Sequence, residues 1–406
     1  VPAHSAWYRT QFRMTSDPVA LDGIHAATPT LALLPHMTEP NTGQPGRGGR
    51  ILAATSALDT PFLAVDEQVL DANIARMSAF AATSGLRLRP HAKTHKSLIL
   101  GQRQLDGGAT GLTVATIAEA EAFAGGGFSD LFIAYPLWMT ENKAARLRAV
   151  MARAHVLLAI DSVAGAEQLA FHLPGAPVLV EVDSGHHRTG IAPELAGDLG
   201  AAAKTAGLEV LGVFTFPGHS YRPDGPSDAA GQESHALAVA AESLRSHQIT
   251  PVICSGGSTP SAGNTDSTVL TEIRPGVYVF NDAGQVELGV ATMADVALTA
   301  IGTVVHSNGA KAVVDVGSKV LGADQPAWIS GGGRLPDEPG ARITALSEHH
   351  ATIDFSNASR HPVAGERVRI APNHVCTAVN LADDLVVVGA DDVLTHWPVT
   401  ARGANT

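Results

Sequence analysis

The chain has 406 residues, 45% hydrophobic and 16% charged, with 41 glycines and 24 prolines; 27 lysines and arginines against 39 acids give a formal net charge of −12. Such a length exceeds one ordinary hydrophobic core, so two domains are expected, and the apolar content excludes a disordered chain. An acidic balance without a Lys/Arg run excludes a nucleic-acid surface, no apolar run reaches the roughly 18–20 residues of a bilayer span, and the opening VPAHSAWYRTQF lacks the basic-then-apolar order of a secretory signal, so a cytoplasmic location is expected.

Residues 1–58 read as an extension. Within it MTEPNTGQPGRGGR (37–50) has the composition of a mobile connection, flanked by apolar segments at 7–12 and 31–34 that can pack on a second domain or a partner subunit. From residue 59 short apolar runs at 62–65, 86–90, 111–114, 131–134, 156–160, 178–182, 208–214, 251–254 and 273–279 alternate with stretches of helical period at 66–84, 117–125, 141–152, 194–205 and 234–246. A lead-in run followed by eight candidate strands is the rhythm of a (β/α)8 TIM barrel over 59–294, with an open doubly wound sheet as the alternative. Beyond 295 the segments VVHSNGAKAVVDVG, ARITALSEHHATIDF and GERVRIAPNHVC carry strand lengths and Gly/Asp/Asn turns, so 295–406 reads as a β-rich domain.

Five segments carry chemistry. RPHAKTHK (89–96) follows a strand run, which places Lys93 at the barrel face where active sites collect. Desolvation and the nearby cations His95 and Lys96 are expected to lower its amine pKa; a solvated basic turn is the bland alternative. EVDSGHHRTG (181–190) puts Arg188 at a strand end as a fixed cation oriented by Asp183, unless it forms a purely structural ion pair. FPGHSY (216–221) offers His219 and Tyr221 for ring contact or gating. CSGGSTP (254–260) can converge backbone N–H groups and the hydroxyls of Ser255, Ser258 and Thr259 on a phosphate. NHVC (373–376) places His374 and Cys376 two apart, on one face of an extended segment, where nitrogen and thiolate suit zinc and water or substrate completes the shell. The other cysteine, Cys254, reads as a buried core thiol.

Together these segments, with WPVTARG at 397–403, resemble the D-serine dehydratase and D-threonine aldolase family of fold-type III pyridoxal-phosphate enzymes, over about 59–403. The resemblance implies a barrel of alanine-racemase type followed by a β domain, with Lys93 holding pyridoxal 5'-phosphate as a Schiff base and Arg188 meeting its phenolic oxygen. It assigns Gly256 and Gly257, beside Ser255 and Ser258, to the phosphate, and Tyr278 of RPGVYVFND to the ring or phosphate side. His374 and Cys376 become ligands of a divalent metal near the substrate's β-hydroxyl, zinc first and manganese or magnesium as alternatives.

The implied activity is a lyase acting on D-β-hydroxy amino acids. His-x-Cys points to dehydration of D-serine or D-threonine to a 2-oxo acid and ammonia, whereas the aldolases commonly carry His-x-Asp. Retro-aldol cleavage, a 3-hydroxy-D-aspartate dehydratase or aldolase, and a non-catalytic pyridoxal-phosphate carrier are the alternatives; a racemase is disfavoured for want of a second base. The family implies a homodimer whose site lies between one subunit's barrel and the other's β domain, so that the metal pair reaches the cofactor only on dimerisation. Departures are His186 and His187 before Arg188, and His349 and His350 after Glu348.

Overall fold

The computed structural model describes residues 47–406, so the segments at 7–12 and 31–34 lie outside the described residues. The expected mobile connection is already helical at Arg47: helix α1 (Arg47–Ala54) leads into strand β1 (Phe62–Asp66). Ile51 seats with Ala64, Ile301 and Val388, and Arg47 and Arg50 clamp Asp66 at 2.8 and 3.2 Å. Buried apolar contact plus two guanidinium pairs outweigh the glycine content of RGGR.

Asp66 also caps α2 (Glu67–Thr83), after which strands and helices alternate: β2 (Arg87–Leu88), α3 (Leu98–Asp106), β3 (Leu112–Val114), α4 (Ile117–Gly125), β4 (Asp130–Pro136), α5 (Glu141–Met151), β5 (His155–Ile160) and α6 (Val163–His172). Then come β6 (Pro177–Glu181), α7 (Ala196–Ala206), β7 (Glu209–Phe214), α8 (Gly225–Ser246), β8 (Ile253–Gly256) and β9 (Glu272–Ile273). Thr116, Thr140 and Ser162 each accept an N–H from the first turn of α4, α5 and α6, which is why those helices start where they do.

β2 to β9 form a parallel sheet in the order β2-β9-β8-β7-β6-β5-β4-β3. Its first and last strands meet through a His91–Thr113 bridge and bonds from Thr110 N to Leu88 O (2.9 Å) and Thr113 N to Pro90 O (2.8 Å), so the sheet curls round on itself. Phe132, Leu157, Leu179, Leu211, Phe214 and Ile253 fill its interior, with Phe132 and Phe214 edge to face at 5.0 Å. Arg89, read as the start of the basic segment, is buried in the barrel instead, paired with both oxygens of Asp130 (2.8 and 2.9 Å) and with Glu272 (2.8 Å). Arg89→Met strands two buried carboxylates, and urea denaturation is expected to show a loss of about 3 kcal/mol.

The second sheet contains β10 (Leu298–Asn308), β11 (Lys311–Val314), β12 (Gly333–Arg334), β13 (Arg342–Leu346), β14 (Ala351–Asp354), β15 (Arg367–Pro372), β16 (Asp384–Val388) and β17 (Leu394–Pro398), with helix α9 (Val375–Leu381) between β15 and β16. Its main path runs β13-β14-β11-β10-β1-β16-β17. The lead-in run therefore belongs to this sheet: Leu63 faces Ala300 of β10 in antiparallel register and Ala64 faces Val386 of β16 in parallel. After β17 the chain returns to the barrel, where Ala401 N bonds Lys96 O (2.8 Å), Thr116 Oγ1 bonds Ala404 O (2.8 Å) and Ala118 N bonds Thr406 O (2.9 Å).

Candidate active site

Lys93 sits in a single 3-10 turn, Ala92–Thr94, directly after β2. Its side chain lines a cavity of about 180 Å³ together with His91, Phe216, Tyr221, Arg274, His374 and Cys376. Burial lowers the amine pKa and Arg188 and Arg274 lower it further, against the Cys376 and Glu119 charges. The lowering cations are therefore not the two expected from sequence. His95 is buried with its ring on Gln104 (3.1 Å), its pKa pushed down to about 4, so it is neutral. Lys96 donates to Asn380 and Asn405 and pairs with Glu119, and its charge is spent there.

Phe216 forms a wall of the cavity. Lys93 Nζ and Arg188 Cζ lie 5.4 and 5.2 Å from its ring centroid, which sets the amine and the guanidinium next to one aromatic surface. Asp183 does not orient Arg188: its oxygens accept from Gly185 N, His187 N and His187 Nδ1 at 2.8, 3.0 and 2.6 Å, so the loop's own turn consumes the acid. His186 meets Phe216 edge-on at 5.5 Å, and a Cβ on Gly218 would lie 2.5 Å from its ring, so the histidine is part of the wall's backing. Tyr221 lines the cavity and bonds Thr259, with its phenol pKa raised by burial. His219 packs instead against Gly185 and is not among the lining residues of that cavity.

At the glycine loop, Ser258 faces the cavity, and its hydroxyl lies 2.8 Å from that of Ser220 and 2.9 Å from that of Ser261, a buried hydroxyl cluster suited to an anion. Ser255 is turned away, donating to Glu272 and accepting from Arg274 Nε at 2.8 and 2.9 Å. Gly257 adopts φ +78°, and its N–H goes to Glu233 at 2.7 Å; a Cβ on Gly256 would lie 2.3 Å from the same carboxylate. Tyr278 is buried behind the loop, its hydroxyl on Gln104 at 3.1 Å, and does not line the cavity.

Glu233 is fully buried, and burial lifts its pKa from 4.5 to about 7. A carboxyl whose folded pKa is raised binds more protons folded than unfolded between those values, so its contribution to stability falls as pH rises from about 4.5 to about 7. Glu233→Gln keeps an acceptor for Gly257 and removes the titration. Its urea midpoint is expected to vary less with pH than that of the wild type over this window.

His374 and Cys376 also reach this cavity, although not by strand alternation. β15 ends at Pro372, His374 is extended, and Cys376 lies in the first turn of α9. The two side chains are hydrogen-bonded to each other, and Cys376 Sγ lies 3.3 Å from Thr94 Oγ1, beside Lys93. The Cys376 thiolate holds the His374 pKa well above its ordinary value. Burial pushes the thiol up, and His374, Lys93 and Thr94 together more than offset it, leaving it lowered. Both side chains lie in the same cavity as Lys93 within a single chain.

Sequence reading missed Asp282, whose Oδ2 lies 3.4 Å from His374 Nδ1 and accepts Val375 N at 3.0 Å. A carboxylate on Nδ1 leaves Nε2 as the nitrogen that could hold a metal, the usual outer support of a metal-binding imidazole. It missed Arg274 as well, a buried guanidinium over Phe132 and Phe214 at 5.5 and 5.3 Å that lines the cavity floor. Both lie in RPGVYVFND, quoted only for Tyr278. Cys254 is a buried core thiol, raised to about 11 by burial, and His349 and His350 are exposed in the turn between β13 and β14.

The residues fit pyridoxal phosphate: a desolvated amine, the Arg274 guanidinium, the Phe216 wall and the Ser258 hydroxyl share one cavity, and Arg188 lies beside the same Phe216 ring outside that lining. For a metal, the donor set is His374 and Cys376 with Asp282 behind; no group of three or more His, Cys, Asp or Glu ligands occurs among the described residues, so water or substrate must complete it. No helix among the described residues is long and apolar enough to cross a membrane.

Two family models match the chain: the alanine racemase N-terminal domain over residues 65–283 and the serine dehydratase domain over 297–388. The chain is 32% identical to D-threo-3-hydroxyaspartate dehydratase of Delftia sp. (strain HT23), covering 84% of this chain and 97% of that one. It is 30% identical to D-threonine aldolase of Arthrobacter sp. (85% and 93% covered) and 27% identical to D-serine dehydratase of Dictyostelium discoideum (84% and 98%). The solved Delftia enzyme superposes with a TM-score of 0.78 over 84% of this chain and 97% of its own, at 31% identity.

Proposed function

The chain belongs to the D-serine dehydratase and D-threonine aldolase family of pyridoxal-phosphate-dependent lyases, and from that premise we propose that it dehydrates D-β-hydroxy amino acids, converting D-serine or D-threonine to a 2-oxo acid and ammonia. The observation that carries this reading is the convergence of Lys93, His374 and Cys376 on one cavity. A carrier needs the first of these and has no use for the other two.

When bound at Lys93, pyridoxal phosphate supplies the electron sink for the pair left at Cα. Arg188 would meet its phenolic oxygen, and Ser258 with its hydroxyl neighbours would hold its phosphate. The Lys93 amine, whose pKa burial and two guanidinium groups lower, takes the α-proton. His374 and Cys376 would hold a divalent ion, which supplies Lewis acidity at the β-oxygen. One solved form of the Delftia enzyme has a cysteine-to-alanine substitution and is described as metal-free. Thiolate and imidazole favour zinc over magnesium or manganese, and Cys376 in place of aspartate favours dehydration over retro-aldol cleavage.

Incubation with D-serine and D-threonine, with assay of pyruvate, 2-oxobutyrate, glycine and acetaldehyde, tests the proposal. Pyruvate and 2-oxobutyrate are expected. Glycine and aldehyde without 2-oxo acid would make the protein an aldolase.

A further inference from the structure

A second chamber, of about 320 Å³, adjoins the first, and Lys93 and Cys376 line both. The first cavity, about 180 Å³, is smaller than the roughly 300–1,000 Å³ of common ligand pockets. It suits the cofactor alone, with its phosphate toward Ser258, and the amino acid then extends past Lys93 into the second space.

The polar wall of that space is built around Lys96. Its ammonium donates to Asn380 Oδ1 (2.8 Å) and Asn405 Oδ1 (2.9 Å) and lies 3.3 Å from Glu119 Oε1 as an ion pair. An ammonium only donates, so both amides must turn their oxygens to it and their NH2 groups away. Neither NH2 has a hydrogen-bond partner among the described residues, and both residues line the chamber. Glu119 is fully engaged, its other oxygen taking Ala115 N at 2.6 Å. Two unspent amide donors, with the nearby acid occupied, match a carboxylate.

Of the groups on the substrate's Cα, the hydrogen must face Lys93 and the carbon bearing the hydroxyl must face His374 and Cys376. The carboxylate takes the remaining direction. Asn380 follows Cys376 by four residues on α9, so the two project from one helix face. Asn405 is brought in by the segment anchored through Ala401, Ala404 and Thr406.

We propose that the chamber beyond Lys93 is the amino-acid subsite and that the amides of Asn380 and Asn405, aimed by Lys96, bind the substrate's α-carboxylate; the assignment rests on the lyase reading above. Lys96 is a positioning residue and the two asparagines are contact residues. Each of Asn380→Ala and Asn405→Ala raises KM for D-serine and for D-threonine roughly 10-fold or more, the scale of a hydrogen bond to a charged group, with the effect on KM exceeding that on kcat. Asn405→Asp, of equal size with an acceptor in place of the donor, weakens binding more than alanine does. Pyridoxal-phosphate uptake, followed by tryptophan fluorescence quenching, keeps its wild-type affinity in all three and reports that each variant is folded.

Calorimetric binding of D-serine to the cofactor-loaded protein separates this claim from the one it rests on. Wild type that binds D-serine without forming pyruvate sinks the dehydratase reading. Wild-type affinity for D-serine in both alanine variants, or a change confined to substrates with a second carboxylate, overturns the subsite.

Discussion

Replacement of Lys93 by alanine is expected to lower 2-oxo acid formation from D-serine by about 10⁴-fold, the upper range for removing a positioned acid–base group, and to remove the visible absorption of covalently held pyridoxal phosphate. Lys93→Arg should fail as badly, because a guanidinium keeps its proton at any working pH. The prediction follows from the burial of Lys93 between Arg188, Arg274 and the Phe216 wall, an environment that favours the free amine. Stopped-time assays for pyruvate, with intact mass after borohydride reduction, check both parts. Retention of a borohydride-fixed adduct on Lys93→Ala would place the cofactor on another amine.

Stripping the protein with a chelator is expected to abolish dehydration, by about 10³-fold, since a Lewis acid at a departing hydroxide is worth several kcal/mol. Zinc should restore activity to the wild type and fail to restore it to Cys376→Ala. Asp282→Asn should weaken zinc binding by about 10–100-fold with the two ligands intact, because it loosens the imidazole's outer partner. Metal content by atomic emission and pyruvate release in the same samples check these outcomes. Undiminished turnover in protein free of all metal would refute a role for the His374 and Cys376 pair in the reaction.

The rhythm of apolar runs made the barrel legible, because buried parallel strands are short, continuous and separated by helices of clear period. Lys93 was legible as the residue after β2, and His374 with Cys376 as a spaced donor pair. What local sequence could not show is which neighbours arrive from far along the chain. Asp282 reaches His374 from before β10, with all the strands from β10 to β15 between them in the chain, and Arg274 reaches under Lys93 from the end of β9. The two cations nearest Lys93 in sequence, His95 and Lys96, proved to be a neutral buried ring and an engaged ammonium. Proximity along the chain was a poor guide to electrostatic proximity. The pairing of His374 and Cys376 was anticipated for the wrong reason, since a helix start delivers the same convergence as strand alternation.

Strand β1 precedes the whole barrel in the chain, yet its neighbours are β10 and β16, both of which follow the barrel. The barrel is thus spliced into an interrupted sheet, and β1 must wait with its hydrogen-bonding edges bare until β10 and then β16 have been translated. A nascent chain arrested after the barrel should accordingly be protease-sensitive at β1, and truncated forms ending before Asp384 should accumulate as insoluble material.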